Sequence, residues 1–138
     1  MKISRDLWKS VVSYLLAVFF MIGAVVNIFA LQSAGEDYAR WGYPDWFHYI
    51  TGLLELITAG LLVRTASRFW GAALGAMVMI GATATVVFHG EYAHATAPVA
   101  VLLVSVAIAW IHRPATTARM PNHPNDPSPQ PSTSAARH

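Results

Sequence analysis

Glu55 is the residue around which chemistry could be organised. It stands in the stretch Gly52-Leu53-Leu54-Glu55-Leu56-Ile57-Thr58-Ala59-Gly60, and from Phe47 to Val63 it is the one acidic or basic side chain apart from His48. If that segment spans a bilayer, a charge at its centre costs roughly 2.5–3.5 kcal/mol on insertion scales. Such a group needs a partner, a proton or a task. Three- and four-residue spacing puts His48, Thr51, Gly52, Glu55, Thr58, Ala59 and Leu62 on one helical face, with Leu53, Leu54, Ile57 and Leu61 elsewhere. A polar stripe on a membrane helix turns toward neighbouring helices. The candidate polar site is therefore Glu55 with His48, Thr51 and Thr58, joined by Asn27 from the first apolar segment and His89 from the end of the third. Two readings of Glu55 are open. It is a protonatable or ligand-binding position, or it makes a structural hydrogen bond to a neighbouring helix, for which apolar surroundings favour the neutral acid. Asn27 carries both an amide donor and an acceptor and lies four residues after Gly23, so it could be that partner.

Other reactive constellations are sparse. His48, His89 and His94, with Glu91, fall near one end of the apolar segments, but no HxxxH or HxxE spacing holds them on one element. No metal site is assigned. The absence of cysteine excludes disulfides, thiolate metal sites, covalent c-type haem and dithiol chemistry. Phosphate loops, GxSxG and HExxH are missing too, so no catalytic residue is named and no autonomous catalytic activity is expected. No cofactor is assigned, with quinone or haem as the alternatives. A net charge of +2 gives no footprint for nucleic acid.

The elements that must position these residues follow from hydropathy. The chain has 138 residues, 55% apolar and 12% charged, where globular proteins carry about 25% charged residues. This composition suits lipid as solvent. Apolar runs predict membrane spans over about 10–31, 47–63, 69–88 and 95–111. The run Val11–Leu31 is longer than the 7–15 residues of a signal-peptide core, so it reads as a span. The short connections make spans two and three antiparallel neighbours. Between spans one and two, Trp41, Tyr43, Pro44 and Trp46 belong to an aromatic interfacial loop, with a short helix around Glu36–Trp41, a turn at Gly42–Asp45 and Asp45 as a cap for the next helix. Thr96 is a second candidate cap, ahead of Pro98. Gly52, Gly60 and the Gly71-x-x-x-Gly75 pair permit close helix contact.

The expected fold is all-α: a membrane-spanning antiparallel four-helix bundle over 1–113 with a short interfacial helix. A Pro- and Ser-rich tail over 114–138 is expected to be disordered. Eight basic residues, Lys2, Arg5, Lys9, Arg64, Arg68, Arg113, Arg119 and Arg137, lie on one side of this arrangement and Arg40 on the other. By the positive-inside tendency both termini are expected in the cytoplasm.

Trp41-Gly42-Tyr43-Pro44, Gly52-Leu53-Leu54-Glu55, Gly71-Ala72, Met77-Val78-Met79-Ile80-Gly81-Ala82, His89 and Ala97-Pro98, in that order and spacing, resemble the DoxX-like membrane proteins. These are small four-helix integral proteins, mostly bacterial, and the resemblance covers about residues 10–113. It implies an inner-membrane protein and a non-catalytic or accessory role in a membrane redox or stress-response assembly, since the family name derives from a subunit linked to thiosulfate:quinone oxidoreduction. Many members carry a lysine shortly after a glycine late in the first helix; here Gly23-Ala24-Val25-Val26-Asn27 has none. The alternative reading is a small proton-coupled transporter, or a quinone- or lipid-binding module with Trp41, Tyr43, Trp46 and His48 around its pocket. Expected partners are the lipid bilayer and a membrane protein or a second copy.

Overall fold

The computed structural model describes residues 2–29 and 33–114. Among these residues all regular structure is helical, as expected: α1 Lys2–Ile28, α2 Ser33–Arg40, α3 Phe47–Val63, α4 Arg68–Phe88 and α5 Thr96–Ile111, with a 3-10 turn at Thr65–Ser67. Asp6–Ile28 and Thr65–Phe88 are long and apolar enough to cross a membrane, whereas α3 and α5 are shorter apolar helices. The expected disorder of the tail concerns residues 115–138, which lie outside the described residues, as do Arg119 and Arg137.

The first helix extends ahead of the expected membrane span of 10–31, whose last two residues lie outside the described residues. It begins at Lys2, because helical hydrogen bonding does not require apolar side chains and the polar first turns simply continue the ladder. Asp45 is not a cap. Trp46 occupies that position with no side-chain bond, and the turn's own carbonyls serve the first amides of α3, from Pro44 to Phe47 at 2.9 Å and from Trp46 to Tyr49 at 3.2 Å. Thr96 is likewise inside α5, and its hydroxyl donates backwards to the Ala93 carbonyl at 3.0 Å.

The main packings are α1 on α3, α4 on α5 and α3 on α4, with a lighter contact of α1 on α5. The shared core is Leu16, Ala17 and Phe20 of α1, Ala59 and Leu62 of α3, Ala72 and Met79 of α4, and Ile108 of α5. Where lipid tails are as apolar as the side chains, close fit rather than hydrophobicity must hold helices together. Three glycines supply it. A Cβ on Gly52 would lie 2.7 Å from Ile28 Cγ1 and 3.1 Å from the Ala24 carbonyl oxygen. One on Gly71 would meet Leu61 Cβ and the Leu62 backbone nitrogen, each at 2.9 Å, and one on Gly75 would strike the Phe20 ring at 2.7 Å. Gly60 does not share this role, because nothing stands within 4 Å of its Cβ position and the backbone there faces open space.

The outer surface is apolar. Leu15 is 65% exposed, Leu103 66% and Met77 69%. Contiguous apolar surface of this kind is a liability in water and ordinary in lipid.

Three of the helix hydroxyls are satisfied within their own helix, whereas the buried Ser105 Oγ has no hydrogen-bond partner among the described residues. Ser13, Thr58 and Thr83 donate to the carbonyls four residues earlier, Lys9, Leu54 and Met79, at 2.7–2.8 Å. This lets polar side chains sit at core positions without an interhelical partner.

Candidate functional site

The face of α3 that the spacing marks as polar and small is the buried one: His48, Gly52, Glu55, Thr58, Ala59 and Leu62. Glu55 is 5% exposed and lies over α1. Gly23 makes the room, since a Cβ there would stand 2.7 Å from Glu55 Oε1. One helical turn later Asn27 Nδ2 donates to Glu55 Oε2 at 2.7 Å. The Asn27 side-chain oxygen accepts from the Tyr38 phenol at 3.1 Å, and its backbone carbonyl, near the end of α1, accepts from His48 Nδ1 at 2.8 Å. Asn27 therefore joins α1, α2 and α3 through three different atoms. Thr51 lies near the same phenol, while its hydroxyl donates to the Phe47 carbonyl at 3.3 Å. Burial raises the Tyr38 phenol above its ordinary range, and the nearby Glu55 carboxyl adds to the effect.

Two glycines fix how the polar ends meet. α2 stops at Gly42 and α4 at Gly90, with φ of 75° and 74°. At each the amide of the following residue reaches back five residues: Tyr43 to the Tyr38 carbonyl at 3.0 Å, Glu91 to the Val86 carbonyl at 2.9 Å. This left-handed stop suits glycine because it has no Cβ. It brings Tyr43 and Glu91 to fixed positions beside α2. The Tyr43 and Thr85 hydroxyls share a hydrogen bond of 3.0 Å. Glu91 Oε1 accepts from Arg40 at 2.7 Å and from Trp41 Nε1 at 3.0 Å, and Oε2 accepts from His94 Nδ1 at 2.9 Å. The hydrogen bonds from His94, Arg40 and Trp41 hold the Glu91 carboxyl down to about 2.

Beneath this roof, between α3 and α4, is a half-open cavity of about 1010 Å³, with Met77 and Phe88 of its lining exposed at the mouth. Tyr38, Trp41 and Tyr43 close its upper end, and Leu54, Leu74, Met77, Val78 and Gly81 line its length. At the opposite end of the helices Arg68 is 2% exposed. Its Nε donates to the Leu62 carbonyl at 3.2 Å, its Nη1 to Ser10 Oγ at 3.1 Å, and its guanidinium stands 5.1 Å from the centre of the Tyr14 ring. Burial, and then the charges of Arg68 and Lys9, lower His112, which shares this end.

A family model described as the DoxX-like family matches residues 11–108, which include every atom of the Glu55 network and the cavity. The chain belongs to the DoxX-like family. It is thus a DoxX-like membrane protein, built on an all-helical chain with two helices fit to cross a membrane. Among curated proteins it is 38% identical over 66 residues to the uncharacterised protein YdgD of Bacillus subtilis strain 168, a stretch covering 46% of this chain and 55% of that one. The chain therefore spans about half the length of the curated relative it matches. No solved structure matches.

Of the polar residues singled out in this DoxX-like sequence, Glu55, Asn27 and His48 come together and Thr51 borders them. Thr58 does not join; its methyl packs toward Gly75. His89 is at the far side of the cavity, its Nδ1 donating to the Thr85 carbonyl at 2.8 Å. Trp41 and Tyr43 line the cavity, whereas Trp46 is exposed and His48 faces α1. The Pro44 carbonyl serves the start of α3. Among the described residues no group of three His, Cys, Asp or Glu is arranged to hold a metal. Sequence reasoning set Glu91 beside the outer histidines but missed its bonds to Arg40 and Trp41, and it missed the parts played by Tyr38 and Arg68. Nothing in their spacing announces them, because each acts through a residue distant in the chain.

The Glu91 cluster carries a pH expectation. Its carboxyl lies below the ordinary value of 4.5, so its contribution is present above that value and is lost as pH falls through about 2. Trp41 emission should stay flat from pH 8 to 5 and shift only in stronger acid. Glu91→Gln should produce the shift at neutral pH without unfolding the chain, because exposed ion pairs contribute little to global stability. Identical emission in Glu91→Gln and the native protein would show that the cluster does not hold α2.

Proposed function

We propose that this DoxX-like protein crosses the bacterial inner membrane four times, with α1, α3, α4 and α5 forming an antiparallel bundle, α2 at the membrane boundary and both termini in the cytoplasm. α3 and α5, with 17 and 16 residues, are short for a typical bilayer, and local thinning accommodates them. What supports the sidedness is the basic residues at the helix ends, Lys2, Arg5, Lys9, Arg64, Arg68 and Arg113 at one side against Arg40 at the other. Residues 114–138 are then a cytoplasmic tail.

Within the membrane the chain acts as a non-catalytic, accessory subunit of a redox or stress-response assembly. One observation carries the non-catalytic part. The Glu55 carboxyl is buried against Gly23 and takes the Asn27 amide, and it is not part of the cavity lining. A carboxyl held in this way ties α1 to α3. A proton-coupled carrier centred on Glu55 would need a water path to that group, and the described cavity does not include it. The assembly itself is supported by family membership.

Purification from native membranes in a gentle detergent should recover the chain with a second membrane protein at a fixed ratio. Recovery of the chain alone, under conditions that preserve known respiratory complexes, would overturn the accessory role.

A further inference from the structure

We propose that the cavity between α3 and α4 binds an uncharged single-chain amphiphile, its aliphatic chain along α4 and its polar head beneath the α2 roof. The inference rests on the chain lying in a bilayer, from which such a molecule would enter, and is independent of any protein partner.

Size comes first. A cavity of about 1010 Å³ is at the upper end of the roughly 300–1,000 Å³ found for small-molecule sites. It extends along α4 from Leu74 to His89, about 22 Å at 1.5 Å per residue, a shape suited to an extended chain. Its polarity is one-sided. Leu74, Met77, Val78 and Gly81 line the lower part, while the Tyr43–Thr85 hydroxyl pair and His89 stand at the roofed end. Met77 on the wall is unbranched and adaptable, as variable chains require.

Charge decides the head. The lining contains no Lys, Arg, Asp or Glu among the described residues. Of the charged groups at the roof, Arg40 is committed to Glu91 at 2.7 Å and to Asp37 at 2.9 Å. A phosphate or carboxylate head would find no countercharge, whereas a hydroxyl or carbonyl head matches the donors and acceptors present. Tyr38 and Trp41 in the lining leave a partner helix only the part of α4 below them.

Gly81 adds an independent observation. It lies within α4, where glycine costs about 1 kcal/mol relative to alanine. Unlike Gly71 and Gly75 on the same helix, its Cβ position meets nothing within 4 Å. The space it leaves belongs to the cavity. A side chain there fills the site without touching the packing of the helices.

The full chain in nanodiscs can be titrated with a monoacylglycerol brominated on its chain, reading quenching of Trp41 against a Trp41→Phe control. Saturable quenching is expected, at least tenfold weaker in affinity for Gly81→Leu and unchanged for Gly60→Leu, whose Cβ also enters open space but outside the cavity. Gly81→Leu should be as resistant to thermal unfolding as the native chain. Thr85→Val, which removes a head-end hydroxyl at similar volume, should weaken affinity several-fold. The brominated fatty-acid anion of the same length should bind at least tenfold more weakly. Quenching that rises without saturation, equal affinity in Gly81→Leu, or equal binding of the anion would each overturn the proposal. So would oxidative cross-linking of Met77→Cys into a dimer, in a chain otherwise free of cysteine, because a second copy would then occupy the groove. Failure to recover a partner protein from membranes bears on the accessory role and leaves these measurements unaffected.

Discussion

Gly71→Leu is expected to lower stability by about 3 kcal/mol, the largest effect of any single substitution considered. Leucine is a good helix former, so the change removes the intrinsic cost of glycine and isolates the packing cost. The atoms that a Cβ at position 71 meets are the Leu61 Cβ and the Leu62 backbone nitrogen, both at 2.9 Å. A helical backbone does not yield by rotamer change. α4 would have to separate from α3, and the separation reaches Gly75, which rests on the Phe20 ring one turn on. It also stretches the Arg68 Nε bond to the Leu62 carbonyl. Denaturant titration of the purified chain in micelles gives the comparison. Gly60→Leu is the control, expected to be unchanged or up to about 1 kcal/mol more stable, because its Cβ position is open and the helix cost of glycine is removed. If Gly71→Leu and Gly60→Leu unfold at the same denaturant concentration, close approach of α3 and α4 does not hold the fold together.

The second large effect concerns Glu55. Glu55→Leu leaves the Asn27 Nδ2 donor without its 2.7 Å partner in an apolar interior, at a cost of about 1–3 kcal/mol. Glu55→Gln keeps a carbonyl oxygen at the same reach and should cost less than about 1 kcal/mol. Asn27→Leu alone should be costlier than its lost bond to Glu55, because the Tyr38 phenol also donates to its side chain. The double variant Asn27→Leu, Glu55→Leu should then be more stable than the sum of the two losses, with a coupling near 0.6–2 kcal/mol, the range for interhelical hydrogen bonds in membranes. Additive losses would mean that the two side chains do not act together. Loss of partner recovery in Glu55→Gln, with stability intact, would mean that the acid itself does something for the assembly.

These two sites show what a sequence can and cannot disclose here. The inward face of α3 was legible because helical periodicity alone sets which side chains share a side, and only one side of this helix is polar and small. The all-helical class was legible for the same reason, from the length and spacing of apolar runs. Asn27 was readable as a partner within reach, but not that it also accepts from Tyr38 and, through its backbone, from His48. That depends on where α2 lies over the end of α1. Arg68 reads in sequence as part of a basic turn. It is buried because the close α3–α4 connection carries it back over the last carbonyls of α3, where the Leu62 carbonyl accepts a hydrogen bond from its Nε–H. Asp45 has the residue type of a cap, yet the turn around Pro44 supplies the carbonyls that the first amides of α3 need. Gly60 and Gly81 are indistinguishable from Gly71 and Gly75 as letters, and only the distance to the facing helix separates the ones that pack from the ones that leave space.

The opposed fates of Arg68 and Glu91 make the two ends of the molecule unequal toward dissolved ions. Arg68 is wrapped by protein atoms, its bonds go to a carbonyl and a hydroxyl, and mobile salt has little access to them. The Arg40 side chain that holds Glu91 is half exposed, so a screening length of about 8 Å at physiological ionic strength acts on it directly. Rising ionic strength therefore loosens the α2 end first and leaves the Arg68 end as it was. The end that salt reaches is the one over the cavity.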